Sequence, residues 1–235
     1  MEHCFRHCPV NGQNWRQLMN KLNLWEQIVQ QTQMRWMEVL EATFVHIQLV
    51  FFSMLMAVIL GVLLGILITR VPKLVPLVLG GTGIMQTIPS LAVLGFLIPV
   101  FGIGVKTGIA ALFLYSLLPI VRNTYTGIKG VDKATLEAAK GMGMTSSQIL
   151  LKVELPLSIS IIMAGIRTAA VINVGNATLA AFIGAGGLGD FIFLGITRGI
   201  DGLIFLGAIP AAILAIMLEF FFNKLERWTT PEGLK

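Results

Sequence analysis

The chain has 235 residues, 55% hydrophobic and 12% charged, with a formal net charge of +5. A soluble domain carries about 25% Asp, Glu, Lys and Arg, so this chain lacks the polar residues to coat its own surface, and a soluble globular protein is largely ruled out. The stretches 42–69, 74–105, 107–121, 168–189 and 202–218 carry no formal charge, and a helix crossing a bilayer core about 30 Å thick needs roughly 20 apolar residues. These runs indicate a polytopic all-α membrane protein. Its positive balance suits a basic cytoplasmic face, because Lys and Arg gather in loops that are not translocated. No basic and aromatic interleaving points to nucleic acid.

Residues 1–41 read as a separate N-terminal amphipathic or interfacial extension. His3-Cys4 and His7-Cys8 pair the two residue types twice, but nothing downstream completes a metal-ligand set, and two cysteines are too few for a disulfide framework. From Trp15 onward Leu18, Met19, Leu22, Trp25, Ile28 and Val29 recur at three- and four-residue steps, the pattern of an amphipathic helix. Trp15, Trp25 and Trp36 favour the headgroup zone, which suits a helix lying on the membrane surface; packing onto the rest of the protein fits the pattern equally well. The first apolar run begins too far in, and lacks the small-residue cleavage pattern, for a removed signal peptide.

The membrane region, 42–228, is expected to hold spans at 43–69, 74–103, 106–127, 157–183 and 202–224, with a cytoplasmic tail at 229–235. Gly61 and Gly65 in the first span have the spacing that lets helices approach closely. Arg70-Val71-Pro72-Lys73 reads as a cytoplasmic turn. The charge-free stretch 74–105 fits one span broken at Pro89 and Pro99, or two short ones. Arg122, Lys129, Lys133, Lys140 and Lys152 place the long loop inside, as Lys224, Arg227 and Lys235 do the tail. One kinked span brings Arg70 and Lys73 to the same side, giving five spans and an external N-terminus. Arg167 lies about ten residues into the fourth span, where a charge must be paired or face water. Glu219 is its nearest partner by depth, and a place on a solute path is the other reading.

No G-x-x-x-x-G-K-[ST] phosphate loop is present, so the chain itself should not hydrolyse ATP. Gly184 to Gly189 matches G-x-G-x-x-G, but it comes after a span rather than a strand and is better explained as flexible backbone at a helix end. With no Ser, His and Asp set and no paired carboxylates, catalysis is not expected. Polar residues within spans are candidates for a translocation path: Gln86, Thr87 and Ser90 around the Pro89 kink, where freed carbonyls can face a water-filled cavity, and Tyr115, Ser116, Asn173, Asn176 and Thr178. Hydrogen bonding between helices is the competing use of each.

The loop 132–156 carries the most information. Leu136 to Lys140 should be helical, Gly141 and Gly143 should break the helix, and Thr145 should cap a second helix with Gln148 as capping-box partner. Pro156 is expected to begin the next span.

Glu137-Ala138-Ala139, Gly143 after three intervening residues, Val153 after nine more, and Leu155-Pro156 resemble the EAA loop of binding-protein-dependent ABC importer permeases, with Val153 in place of an isoleucine. Gln86 to Ser90, Leu114 to Pro119, Arg122 to Gly127, Gly141 to Thr145, Val153 to Leu157, Met163 to Ala169 and Gly184 to Asp190 are similar to the permeases for glycine betaine, carnitine and choline. The resemblance covers 43–228. It implies a type I ABC importer permease fold in the bacterial cytoplasmic membrane, importing such an osmoprotectant; an amino acid is the alternative cargo, and a stand-alone secondary transporter the rival of another class. It further implies a second permease subunit, identical or related, two copies of an ATPase that holds ATP and Mg, and a substrate-binding protein. Glu137, Ala138, Ala139, Gly141 and Gly143, with Leu155 and Pro156 behind them, would dock the loop on the ATPase.

Overall fold

The computed structural model describes residues 23–229, and every element among them is helical. Helix α1 runs Leu24–Arg70, α2 Val75–Thr87, α3 Ser90–Phe101, α4 Val105–Lys129 and α5 Lys133–Gly141. Helix α6 is the composite Ser146–Ile183, and α7 (Gly189–Arg198) and α8 (Asp201–Thr229) are the last two elements among the described residues. Helices α1, α4, α6 and α8 are each long and apolar enough to cross a membrane. The His3, Cys4, His7 and Cys8 cluster, the Trp15 end of the amphipathic pattern and the tail beyond Thr229 lie outside the described residues.

Helix α1 joins the N-terminal extension to the first span without a loop. Its one internal departure from helical geometry is at Arg35 (φ −127°, ψ 16°), which separates an arm from the apolar run. The arm docks on the rest of the chain through Gln27, whose Oε1 accepts the Gly202 N–H at 3.2 Å. Trp25 and Trp36 point outward, 73% and 55% exposed.

The Pro89 break is sharper than a kinked span suggests. Helices α2 and α3 have 13 and 12 residues and are bent by 105° across Ile88-Pro89. At 1.5 Å per residue each is about 20 Å long, shorter than the hydrocarbon core. The physical cause is local: the residue before a proline is pushed into extended backbone, and Ile88 stands at φ −77°, ψ 131°. The pair is either a broken span or a re-entrant loop.

The core lies between α1, α4 and α6, where small residues replace large ones. Gly61 meets the Ile120 side chain and Gly65 meets Thr124, so a Cβ at 65 would stand 2.5 Å from the Thr124 Cβ. The predicted close-approach face of the first span is thus the α1–α4 contact. Around it Leu49, Ala57, Leu112, Ile120, Ala169, Ala177 and Ala180 form one buried cluster.

Candidate functional site

The loop after α4 folds largely as its sequence dictates. Asp132 caps α5, its side chain accepting from the Thr135 N–H at 3.2 Å. Helix α5 stops in a turn in which Gly143 takes φ +78°, a conformation that glycine adopts at little cost. Thr145 then caps α6: its Oγ1 accepts from the Gln148 N–H at 3.4 Å, and the Gln148 side chain accepts from the Thr145 N–H at 2.8 Å. This is the capping box read from the sequence.

The far end of the loop differs. Pro156 lies in the first turn of the α-helical stretch Leu155–Ala180, as expected, but that stretch is no separate helix, because Ser146–Ile183 runs on as one helix of 38 residues. It runs through a π-helical turn at Leu150–Glu154. In a regular α-helix the Pro156 ring would clash with the carbonyl four residues back, that of Lys152; the wider turn at Leu150–Glu154 lets the helix continue. The second helix of the loop and the fourth span are therefore one rod.

On this stem Glu137, Ala138, Gly141 and Gly143 are exposed, Ala139 is buried, Leu155 is half-buried and Pro156 is exposed. Met142, at the turn between the two glycines, is 74% exposed. The α5 tip thus presents a small-residue surface with one carboxylate and one flexible apolar knob. Met142 is not among the docking residues that the motif implies, although an apolar residue between two glycines in a polar loop is a detectable signal.

The span candidates separate into three groups. Tyr115, Ser116 and Asn173 are buried within the chain. Asn173, 0% exposed, donates from Nδ2 to Ser53 Oγ at 2.8 Å and ties α6 to α1. The Ser116 hydroxyl donates to Leu112 O within its own helix. The Tyr115 hydroxyl donates to the Ile88 carbonyl freed by Pro89, and the Gln86 side-chain amide donates to Tyr115 O at 2.9 Å. Gln86 and Tyr115 together therefore pin the bent pair to α4. Thr87 is exposed, and Ser90, Asn176 and Thr178 are half-buried; of these, Thr87 and Thr178 bond back to Ile84 O and Gly175 O. On the same helix as Asn176 and Thr178, Thr168, Ile172 and Gly175 are exposed.

Arg167 forms its own site. Its Nε lies 3.5 Å from Glu219 Oε1 and its Nη1 3.3 Å from Glu226 Oε2. The partner expected by depth is present. A second, about two helical turns further along α8, comes within reach because a long arginine stem can follow the helix toward the interface.

At the other end of the bundle Gly184, Gly186 and Gly187 of the G-x-G-x-x-G stretch take φ of +71°, +81° and +92°, turning the chain out of α6 into α7. There burial raises the Asp190 carboxyl above the ordinary carboxylate range.

Residues 57–231 match the family described as binding-protein-dependent transport system inner membrane component. The chain is 51% identical over 188 residues to the carnitine transport permease protein OpuCB of Listeria monocytogenes, covering 78% of this chain and 86% of that one. It is 47% identical over 208 residues to the choline transport system permease protein OpuBB of Bacillus subtilis (strain 168), covering 88% and 96%. Among solved structures, the inward-facing MetNI methionine ABC transporter matches with a TM-score of 0.74 at 24% identity, covering 84% of this chain and 98% of that one; at that identity the likeness shows the fold, that of a type I ABC importer permease. The chain belongs to the binding-protein-dependent transport system inner membrane component family: it is a transport permease subunit and not an enzyme.

Proposed function

We propose that this chain pairs with a second permease subunit, identical or related, to import a compatible solute carrying a quaternary ammonium group: glycine betaine, carnitine or choline. Two copies of an ATPase, which would hold ATP and Mg, drive the cycle, and a substrate-binding protein delivers the solute. The observation that carries the mechanism is the α5 tip on its stem. Small exposed residues allow close approach, Glu137 offers a charge-assisted bond to a basic partner, and Met142 can adapt to an apolar groove. Because α6 continues from the loop into the membrane without a break, a push on the tip reaches the bundle as a rigid displacement. The cargo class is supported by the names of relatives 47% to 51% identical to this chain.

In this reading the loop lies inside and the N-terminus outside, in keeping with Lys and Arg on the loop. The arm before Arg35 lies at the outer interface with Trp25 and Trp36 among headgroups. Thr87, Ser90, Asn176 and Thr178 line the solute path. Gln86, Tyr115, Ser116 and Asn173 hold the frame around it, and Arg167 braces α6 against α8. A quaternary ammonium donates no hydrogen bonds and is held best by aromatic faces, so solute selection rests mainly with the binding protein.

The test is reconstitution of the complex in proteoliposomes with its ATPase and binding protein. ATP-dependent uptake of radiolabelled betaine, carnitine or choline is expected. Uptake of amino acids alone would replace the cargo, and uptake without an ATPase would refute the mechanism.

A further inference from the structure

Glu154 is an acidic residue whose side chain is only 7% exposed. It stands at the last position of the π-helical turn, where the loop becomes the membrane rod. A carboxylate so buried must be paired, and its partner comes from 84 residues away: Arg70, the last residue of α1, donates from Nη2 to Glu154 Oε2. The Arg70 side chain is 41% exposed, so the pair sits with one member buried against the bundle and the other at its rim.

Two features make this more than a surface ion pair. The widened turn adds a residue to one helical turn and so rotates the helix beyond it, and π turns of this kind recur at functional sites. Second, α1 is not joined to the docking loop along the chain: it leads through Val71 into a short 3-10 turn at Pro72–Leu74 and then into the bent pair. Among the described residues, Arg70–Glu154 is the ion pair that joins α1 to the root of the docking loop.

We infer that Arg70 and Glu154 are a coupling strut: positioning residues that carry a displacement of the docking loop into α1, so that α1 and α6 move as one body when the ATPase closes. The inference rests on the reading of α5 as the ATPase contact. Without the strut the loop would still dock and the ATPase would still turn over. The stroke would reach α6 directly, and α1 only through side-chain packing, so ATP would be hydrolysed without a full swing of the bundle.

The experiment measures ATP hydrolysed per solute imported by the reconstituted complex carrying Glu154→Gln, Arg70→Met, or the exchange Arg70→Glu with Glu154→Arg. Glu154→Gln is the gentlest, because it removes the charge while keeping shape and an acceptor. A charge-assisted hydrogen bond is worth enough to change a conformational equilibrium about tenfold, so each single variant should keep the ATPase bound and raise ATP per solute about tenfold. The exchange should bring the ratio back toward the native value. An unchanged ratio in Glu154→Gln overturns the strut, and so does a defect confined to the amount of complex in the membrane. A raised ratio that the exchange does not lower also overturns it as a pairwise device. A native complex that binds no ATPase would instead overturn the docking assignment, a result visible before any variant is made.

Discussion

Helices α1, α4 and α6 and the bent pair α2–α3 are held in opposite ways. The three long helices meet through glycines that admit a neighbouring side chain or carbonyl, and through buried polar bonds such as Asn173 to Ser53. The bent pair rests on α4 through a small cluster around Val93, Leu94, Ala111 and Tyr115, and through the two hydrogen bonds that Gln86 and Tyr115 make. Gly80, Gly81, Gly83 and Gly95 in the pair have nothing within 4 Å of where a Cβ would stand. The lesson is that glycine serves two ends in one membrane domain. In the frame it permits close packing within the chain, whereas in the bent pair the chain itself gives it no steric reason.

Substitutions can break this contrast. The largest effect is expected at Gly165, where a Cβ would lie 2.5 Å from the Asn123 Cβ and 2.8 Å from the Pro119 carbonyl oxygen. Overpacking of this kind costs about 1–3 kcal/mol, so Gly165→Ala should lower the thermal midpoint of the purified protein clearly. Next is Asn173→Ala, expected to cost about 0.6–2 kcal/mol as a lost interhelical bond and to leave the KM for uptake unchanged; a KM rise without lost stability would return Asn173 to the solute path. Tyr115→Phe removes the bond to Ile88 and should cost about 1 kcal/mol, with a larger proportional loss of uptake rate than of stability if the bent pair must hold its angle. The smallest effect is expected for Gly81→Ala, within about 0.5 kcal/mol. A loss at Gly81 matching that at Gly165 would end the comparison.

Much of this arrangement was legible in the residues because it is local chemistry. The Thr145 and Gln148 capping box, the turn at Gly143 and the Gly61 and Gly65 contact face each arise from side-chain type and spacing, as does the pairing of Arg167 with Glu219 from depth alone. The continuity of α6 through Pro156 was not legible, since a proline signals a helix start and a π turn equally until the flanking backbone is seen. The 105° angle at Pro89 was likewise hidden: the sequence marks a break but not its size. Residues such as Tyr115 and Asn173 were candidates for the path because polarity in a span has two uses, and their burial within the chain favours the structural one. Glu154 gave no signal of its own because its partner is remote in sequence.

The central claim, that the α5 tip is the ATPase contact, is tested most directly by site-specific cross-linking. With Cys4 and Cys8 replaced by Ser, a single cysteine is placed at Met142, at Ala138, at the buried Ala139 or at Leu77 of the bent pair, and the assembled complex is treated with a short thiol-to-amine reagent. Adducts with the ATPase at 142 and 138, and none at 139 or 77, are the predicted result. Adducts at 77 with none at 142 or 138 would contradict it.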